Sequence, residues 1–161
     1  MRDPFKNPFG SNDPDRREIW EMLLARDSEA FVARDWSRVD GDFICEQFEG
    51  IHAFGSGNPD DWKIKYPRLT DYRDDWLREA DEFMEMPLEC STHRELIYKV
   101  SKLEEIEIAG EIALCHKKFV ADEPMKNGKR FQLSAQTLYR LRRANGRWKI
   151  AGFVGYLPLH Y

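Results

Sequence analysis

Three turn signals in the last third of the chain, Ala109-Gly110, Asn127-Gly128 and Asn145-Gly146, each stand between runs of strand-forming residues. An Asn-Gly pair supplies the two positive φ angles of a tight type I′ turn, so the stretch from Leu96 to Leu157 reads as a four-stranded antiparallel meander. Helical spacing dominates what comes before it. Helices first and a long meander last is the order of an α+β domain, with about three helices from the N-terminal half covering one face of a curved antiparallel sheet. Such a layout encloses a pocket.

Residues 1–12, with Pro4, Pro8 and Gly10, read as a flexible N-terminal arm that Phe5 and Phe9 can pin to a neighbour, and residues 13–161 as a single domain. Asp13-Pro14 starts a helix that carries the stripe Trp20, Leu23, Leu24 and Phe31 to about Arg34, with a bend and a new cap at Asp27-Ser28. A short second helix capped by Asp35 runs to Phe43. Phe48–Phe54 and Trp62–Tyr66 read as extended segments that pair as a hairpin across the Gly55–Asp61 loop. Leu69, Tyr72, Trp76, Ala80 and Phe83 then recur at helical spacing and give a third helix from Leu69 to Met86, ended by Pro87. The meander strands are apolar on both parities, which predicts cover on the second face, most economically by a symmetric homodimer.

Composition narrows the class. With 161 residues, 42% hydrophobic and 34% charged, the chain has enough to bury for one core and no break that divides it. A formal charge of −4 offers no general attraction to phosphate backbones, so nucleic acid is not expected as a partner. Three widely spaced cysteines without a C-x-x-C pattern suit free thiols in a reducing compartment, and no stretch has the ~20 apolar residues of a membrane span. A cytoplasmic protein with no membrane association is the expectation.

The order of elements resembles the nuclear transport factor 2-like superfamily, and within it the SnoaL-like polyketide cyclase group. Residues 27–43 (DSEAFVARDWSRVDGDF) resemble the group's turn between opening helices, and residues 138–150 (LYRLRRANGRWKI) its closing hairpin. The resemblance implies a cone with an apolar cavity open at one end. It also implies acid/base chemistry without a metal or cofactor in the relatives that are enzymes, among them ketosteroid isomerase, scytalone dehydratase, limonene epoxide hydrolase and the polyketide cyclases. Neither the Asp-Arg-Asp set of the epoxide hydrolases nor the Tyr and two Asp of the isomerase is matched in order here, so those residue roles do not carry over.

A cone enzyme that removes a proton beside a carbonyl needs a base and a donor to the developing oxyanion. His52, in the first extended segment, and His116, mid-strand on the parity of Ile112 and Leu114, are the candidate bases; the alternative for each is a structural histidine. Tyr72 and Trp76, one helical turn apart, are either core or an aromatic wall for a flat ligand. Gln136 and Tyr139 have opposite strand parities, so one of them faces inward as a candidate donor. Cys90, His93, Cys115 and His116 make a weak four-ligand set, and no metal is expected. Lys126, Lys129, Arg130, Arg140, Arg142, Arg143, Arg147 and Lys149 read as a solvated basic rim. The sequence thus indicates a protein that binds a small apolar or aromatic molecule; if catalytic, it is an isomerase, cyclase or dehydratase acting on a carbonyl-containing substrate. The alternative is a non-catalytic ligand-binding or dimerisation module of the same fold.

Overall fold

The computed structural model describes residues 2–159. Asp13 accepts from the Arg16 amide and Pro14 takes the first turn, starting α1 (Pro14–Trp20), which runs through a π-helical stretch (Glu21–Arg26) into α2 (Asp27–Ala33). The new cap foreseen at Asp27-Ser28 does not form. Arg26 precedes α2 in helical geometry, and the widened π turn stands where the bend was expected. That frees the Asp27 carboxylate for use elsewhere. Asp35 does act as a cap, but Trp36–Arg38 and Asp40–Asp42 are two separate 3₁₀ turns in place of one short helix.

Strands β1 (Glu49–His52) and β2 (Lys63–Tyr66) form the expected antiparallel hairpin. Helix α3 (Leu69–Glu85) opens with the Asp71 carboxylate accepting from the Arg68 amide at 3.1 Å and stops just short of Pro87. A fourth helix, α4 (His93–Val100), lies where the meander was expected to begin at Leu96. Thr92 caps it by accepting from the Glu95 amide at 3.1 Å, and Thr92-x-x-Glu95 is itself a capping-box pattern.

The meander comprises β3 (Ser101–Ala109), β4 (Ile112–Pro124), β5 (Arg130–Ala144) and β6 (Arg147–Leu157). The sheet order is β2-β1-β6-β5-β4-β3, and β1 runs parallel to β6, so the sheet is mixed rather than wholly antiparallel. Of the three turns, Asn145-Gly146 has both residues at positive φ (54° and 79°), as type I′ requires. At the other two only Gly110 and Gly128 do; Asn127 instead holds its turn by accepting from the Lys129 amide through its side chain. Register shifts at 103/105, 136/138 and 140/141 add local twist, and the sheet is curved and unclosed.

The helices fill the concave side. Trp148, Leu141, Leu103, Leu23 and Ile19 are fully buried there, and a second cluster of Phe83, Leu96, Val100 and Ala121 closes the end near α4. Both clusters pack against Phe31 and Ile97. The arm lies on its own domain: Phe5 stacks on Tyr98 at 4.7 Å, Arg94 sits over Phe5, and Phe9 packs on the main core. Met1, His160 and Tyr161 lie outside the described residues.

Candidate functional site

Strand alternation decides which groups enter the cone. On β4, Ala113, Cys115, Lys117 and Phe119 face the helices, while Ile112, Leu114, His116, Lys118 and Val120 face outward. On β5, Thr137 and Tyr139 face inward and Gln136 outward.

An ionic pair thereby stands inside the cone. Lys117 is 2% exposed, yet its Nζ donates to the Leu23 carbonyl at 2.6 Å and to Asp27 Oδ2 at 3.0 Å. The π-helical stretch contributes the Leu23 carbonyl, and Asp27 is the first residue beyond it; such widened turns recur at functional sites. Trp76 Nε1 donates to the other Asp27 oxygen at 3.2 Å, so the tryptophan is both wall and support.

This pair lies on the floor of a cavity of about 100 Å³, lined also by Tyr72, Tyr139, Thr137 and Ser101. Burial pushes both tyrosine hydroxyls well above their ordinary value, and the Asp27 carboxylate adds to the effect on each. They remain protonated donors at any working pH. The floor joins an apolar chamber of about 410 Å³, and Phe31, Glu79, Ile97, Phe119 and Tyr156 are common to both walls.

Glu79 stands at that junction. Burial first, and then the neighbouring Asp75 carboxylate, raises its pKa above the usual carboxylate value. The Tyr156 hydroxyl donates to its Oε2 at 3.3 Å, which only partly offsets this. Asp75 is itself held down by donors: it accepts from the Tyr66 hydroxyl, from Arg78 Nε at 3.0 Å and from Lys65 at 3.3 Å. The two carboxylates, one helical turn apart, are therefore shifted in opposite directions, Asp75 down and Glu79 up.

Of the residues named from sequence, Tyr72, Trp76 and Tyr139 meet in this cavity. His52 does not line it. Its ring is stacked between Phe54 and Tyr156 (4.1 and 4.6 Å), its Nδ1 accepts from the Phe54 amide, and burial together with Lys65 lowers its pKa. His116 lies on the outer sheet face with its Nε2 2.9 Å from Glu107, and Gln136, which donates to the Pro158 carbonyl, lines the same outer groove. Neither belongs to the cone. The Cys90, His93, Cys115 and His116 set does not assemble: among the described residues no three such side chains converge, and burial holds the Cys115 thiol up at about 12.

Lys117, Asp27, Glu79 and Tyr156 were not singled out from sequence, though three of them carry a signal. Each is an ionisable residue in an apolar series: Lys117 between Cys115 and Phe119, Asp27 between Leu23 and Phe31, Glu79 between Trp76 and Phe83. Charges there are rare unless paired or used.

No protein-family model matches the sequence, and no curated protein matches it. Solved structures do. A protein of unknown function from Pseudomonas putida KT2440, described as NTF2-like, superposes with a TM-score of 0.59 at 16% identity, covering 92% of this chain and 89% of that one. Another from Shewanella baltica OS155 gives 0.55 at 13% identity, over 92% and 97%. The chain has the nuclear transport factor 2-like fold. A third such structure, from Novosphingobium aromaticivorans, gives 0.53 at 17% identity over 91% and 83%. What the nuclear transport factor 2-like fold provides here is a curved back wall with α2 and α3 in front of it, so that inward residues of β4 and β5 meet the helices' apolar stripes. Its chemistry comes from this chain's own side chains. Among the described residues no helix is long and apolar enough to cross a membrane.

Proposed function

We propose that the cone binds a small, largely apolar molecule bearing a carbonyl group and moves a proton on it. The observation that carries this reading is Glu79, a carboxylate of raised pKa placed between an apolar chamber and a floor of hydrogen-bond donors. The chamber takes the hydrocarbon body. Tyr72, Tyr139 and the Lys117 ammonium are then the groups positioned to stabilise an enolate oxygen, and Glu79 removes the adjacent proton and returns it elsewhere. Isomerisation, cyclisation and dehydration all share that step. The likeness of residues 27–43 and 138–150 to the SnoaL-like group supports the same class. A purely structural filling of the cone is disfavoured by the convergence of six hydroxyl-bearing side chains and an ion pair on one void.

The test uses 2-tetralone, a flat ketone with acidic α-protons, in deuterated buffer. The protein is expected to accelerate deuterium incorporation, followed by NMR, above an equal concentration of acetate and phenol. No acceleration together with no binding of the ketone would remove the reading.

We further propose that two copies pair through the outer face of the sheet. Ile112, Leu114 and Val120 on β4 are 58%, 40% and 61% exposed there, and the Lys118–Glu105 and His116–Glu107 pairs put both signs on one face, as self-association requires. Sedimentation equilibrium is expected to give a dimer that Leu114→Glu with Val120→Lys converts to monomer. A wild-type monomer at high micromolar concentration excludes it.

A further inference from the structure

Resting on the reading of the cone as a ligand site, we propose that the molecule it takes carries a positively charged nitrogen: the outer chamber is built for a hydrophobic ammonium. Its wall is largely aromatic and aliphatic, with Phe31, Phe83, Phe119 and Phe131 presenting rings. The carboxyl side chains on that wall are Glu79 and Glu82, three residues apart on α3, and no lysine, arginine or histidine is among the described lining residues. Lys117 does not compensate. It lies on the floor, with its charge already matched by Asp27 and its Nζ 5.5 Å from the centroid of the Phe119 ring, which leaves Phe31, Phe83 and Phe131 to a ligand cation.

Arg78, next to Glu79 on α3, turns outward. It is about half exposed, bridges Asp75 and Glu82 from the solvent side, and approaches Glu79 only to 3.9 Å. An anion entering the chamber would face the largely buried Glu79 carboxylate, where like charges repel more than in water, while Glu82, 63% exposed and bridged by Arg78 at 2.8 Å, stands at the solvent side. An ammonium meets the opposite situation. It gains Glu79 as counter-ion and the faces of several phenyl rings, each an attractive site for a cation.

The floor also offers a polar group to an occupant. The Ser101 hydroxyl is 1% exposed, has no hydrogen-bond partner among the described residues, and lines the floor. A ligand's polar atom that reaches the floor can hydrogen-bond to it. The ligand so described has a polar end at Ser101, a hydrocarbon or aromatic body in the chamber and an ammonium beside α3.

Three isosteric probes test it by calorimetry on the full chain: 2-(2-naphthyl)ethylamine, 2-(2-naphthyl)ethanol and 2-naphthylacetate. The amine is expected to bind about tenfold more tightly than the alcohol, with the acetate weakest. In Glu79→Gln and in Glu82→Gln the amine-to-alcohol ratio should fall toward one. An alcohol that binds as well as the amine, or a ratio that survives both substitutions, overturns the ammonium assignment and leaves the apolar-ligand reading standing. Failure of all three probes to bind overturns both.

Discussion

Glu79→Gln is expected to lower the rate of proton abstraction by about 10²- to 10⁴-fold and, at the same time, to make the protein more stable at neutral pH. The two effects have one cause. Burial and the Asp75 carboxylate hold the folded-state pKa of Glu79 above its ordinary 4.5, so the folded chain binds this proton more tightly than the unfolded chain does. As pH rises past the unfolded value, the unfolded state loses its proton first and stability falls; the loss is complete once pH passes the folded value. Glutamine keeps the shape and does not titrate. Urea unfolding should therefore show the variant and wild type alike below about pH 4, where both are neutral at this position, with the variant ahead at pH 7 to 8. A variant that is inactive but no more stable at pH 8 would mean that Glu79 is not under electrostatic load, and the case for it as the base would fail.

That load could not be seen in the residue spacing alone. The turns, the hairpin of β1 with β2, and α3 were all legible, because each is written in local chemistry: Asn-Gly pairs, Asp and Pro at helix starts, apolar stripes at a period of three to four. The same periodicity put Tyr72 and Trp76 on one helix face, but parity left open which of Gln136 and Tyr139 faces inward. What failed is non-local. Whether His116 faces the cone or the outer surface depends on how the sheet curves around the helices, and parity fixes only that it shares a side with Ile112 and Leu114. The parallel pairing of β1 with β6 joins segments about a hundred residues apart and leaves no local mark. Helix α4 was missed although Thr92 and Glu95 spell its cap, because the strand-like residues after Leu96 outweighed the start signal. Lys117 was not singled out, although it shares strand parity with Cys115 and Phe119, two positions away on each side, and all three face inward.

Asp27→Asn is expected to destabilise the fold by about 3 to 5 kcal/mol, because it leaves a buried ammonium without a counter-charge. Lys117 is 2% exposed and would keep only the Leu23 carbonyl and a neutral amide as partners. Removing the other member of the pair is a different case. The Asp27 side chain is 31% exposed, retains the Trp76 indole as donor and lies against the cavity, where water can reach it, so Lys117→Met should cost roughly half as much. The order of the two single variants thus depends on which charge can be rehydrated. Combining them removes both charges while the asparagine oxygen still accepts from Trp76, and the double variant should be more stable than Asp27→Asn alone, with a coupling of about 2 kcal/mol. In thermal unfolding the Asp27→Asn loss corresponds to a midpoint lower by on the order of 10 °C. Additive losses in the double variant would show that the two groups do not depend on each other. Asp27 would then not be what holds the ammonium in place on the floor, and Lys117 would have to be given up among the groups that hold an enolate oxygen, in favour of Tyr72 and Tyr139 alone.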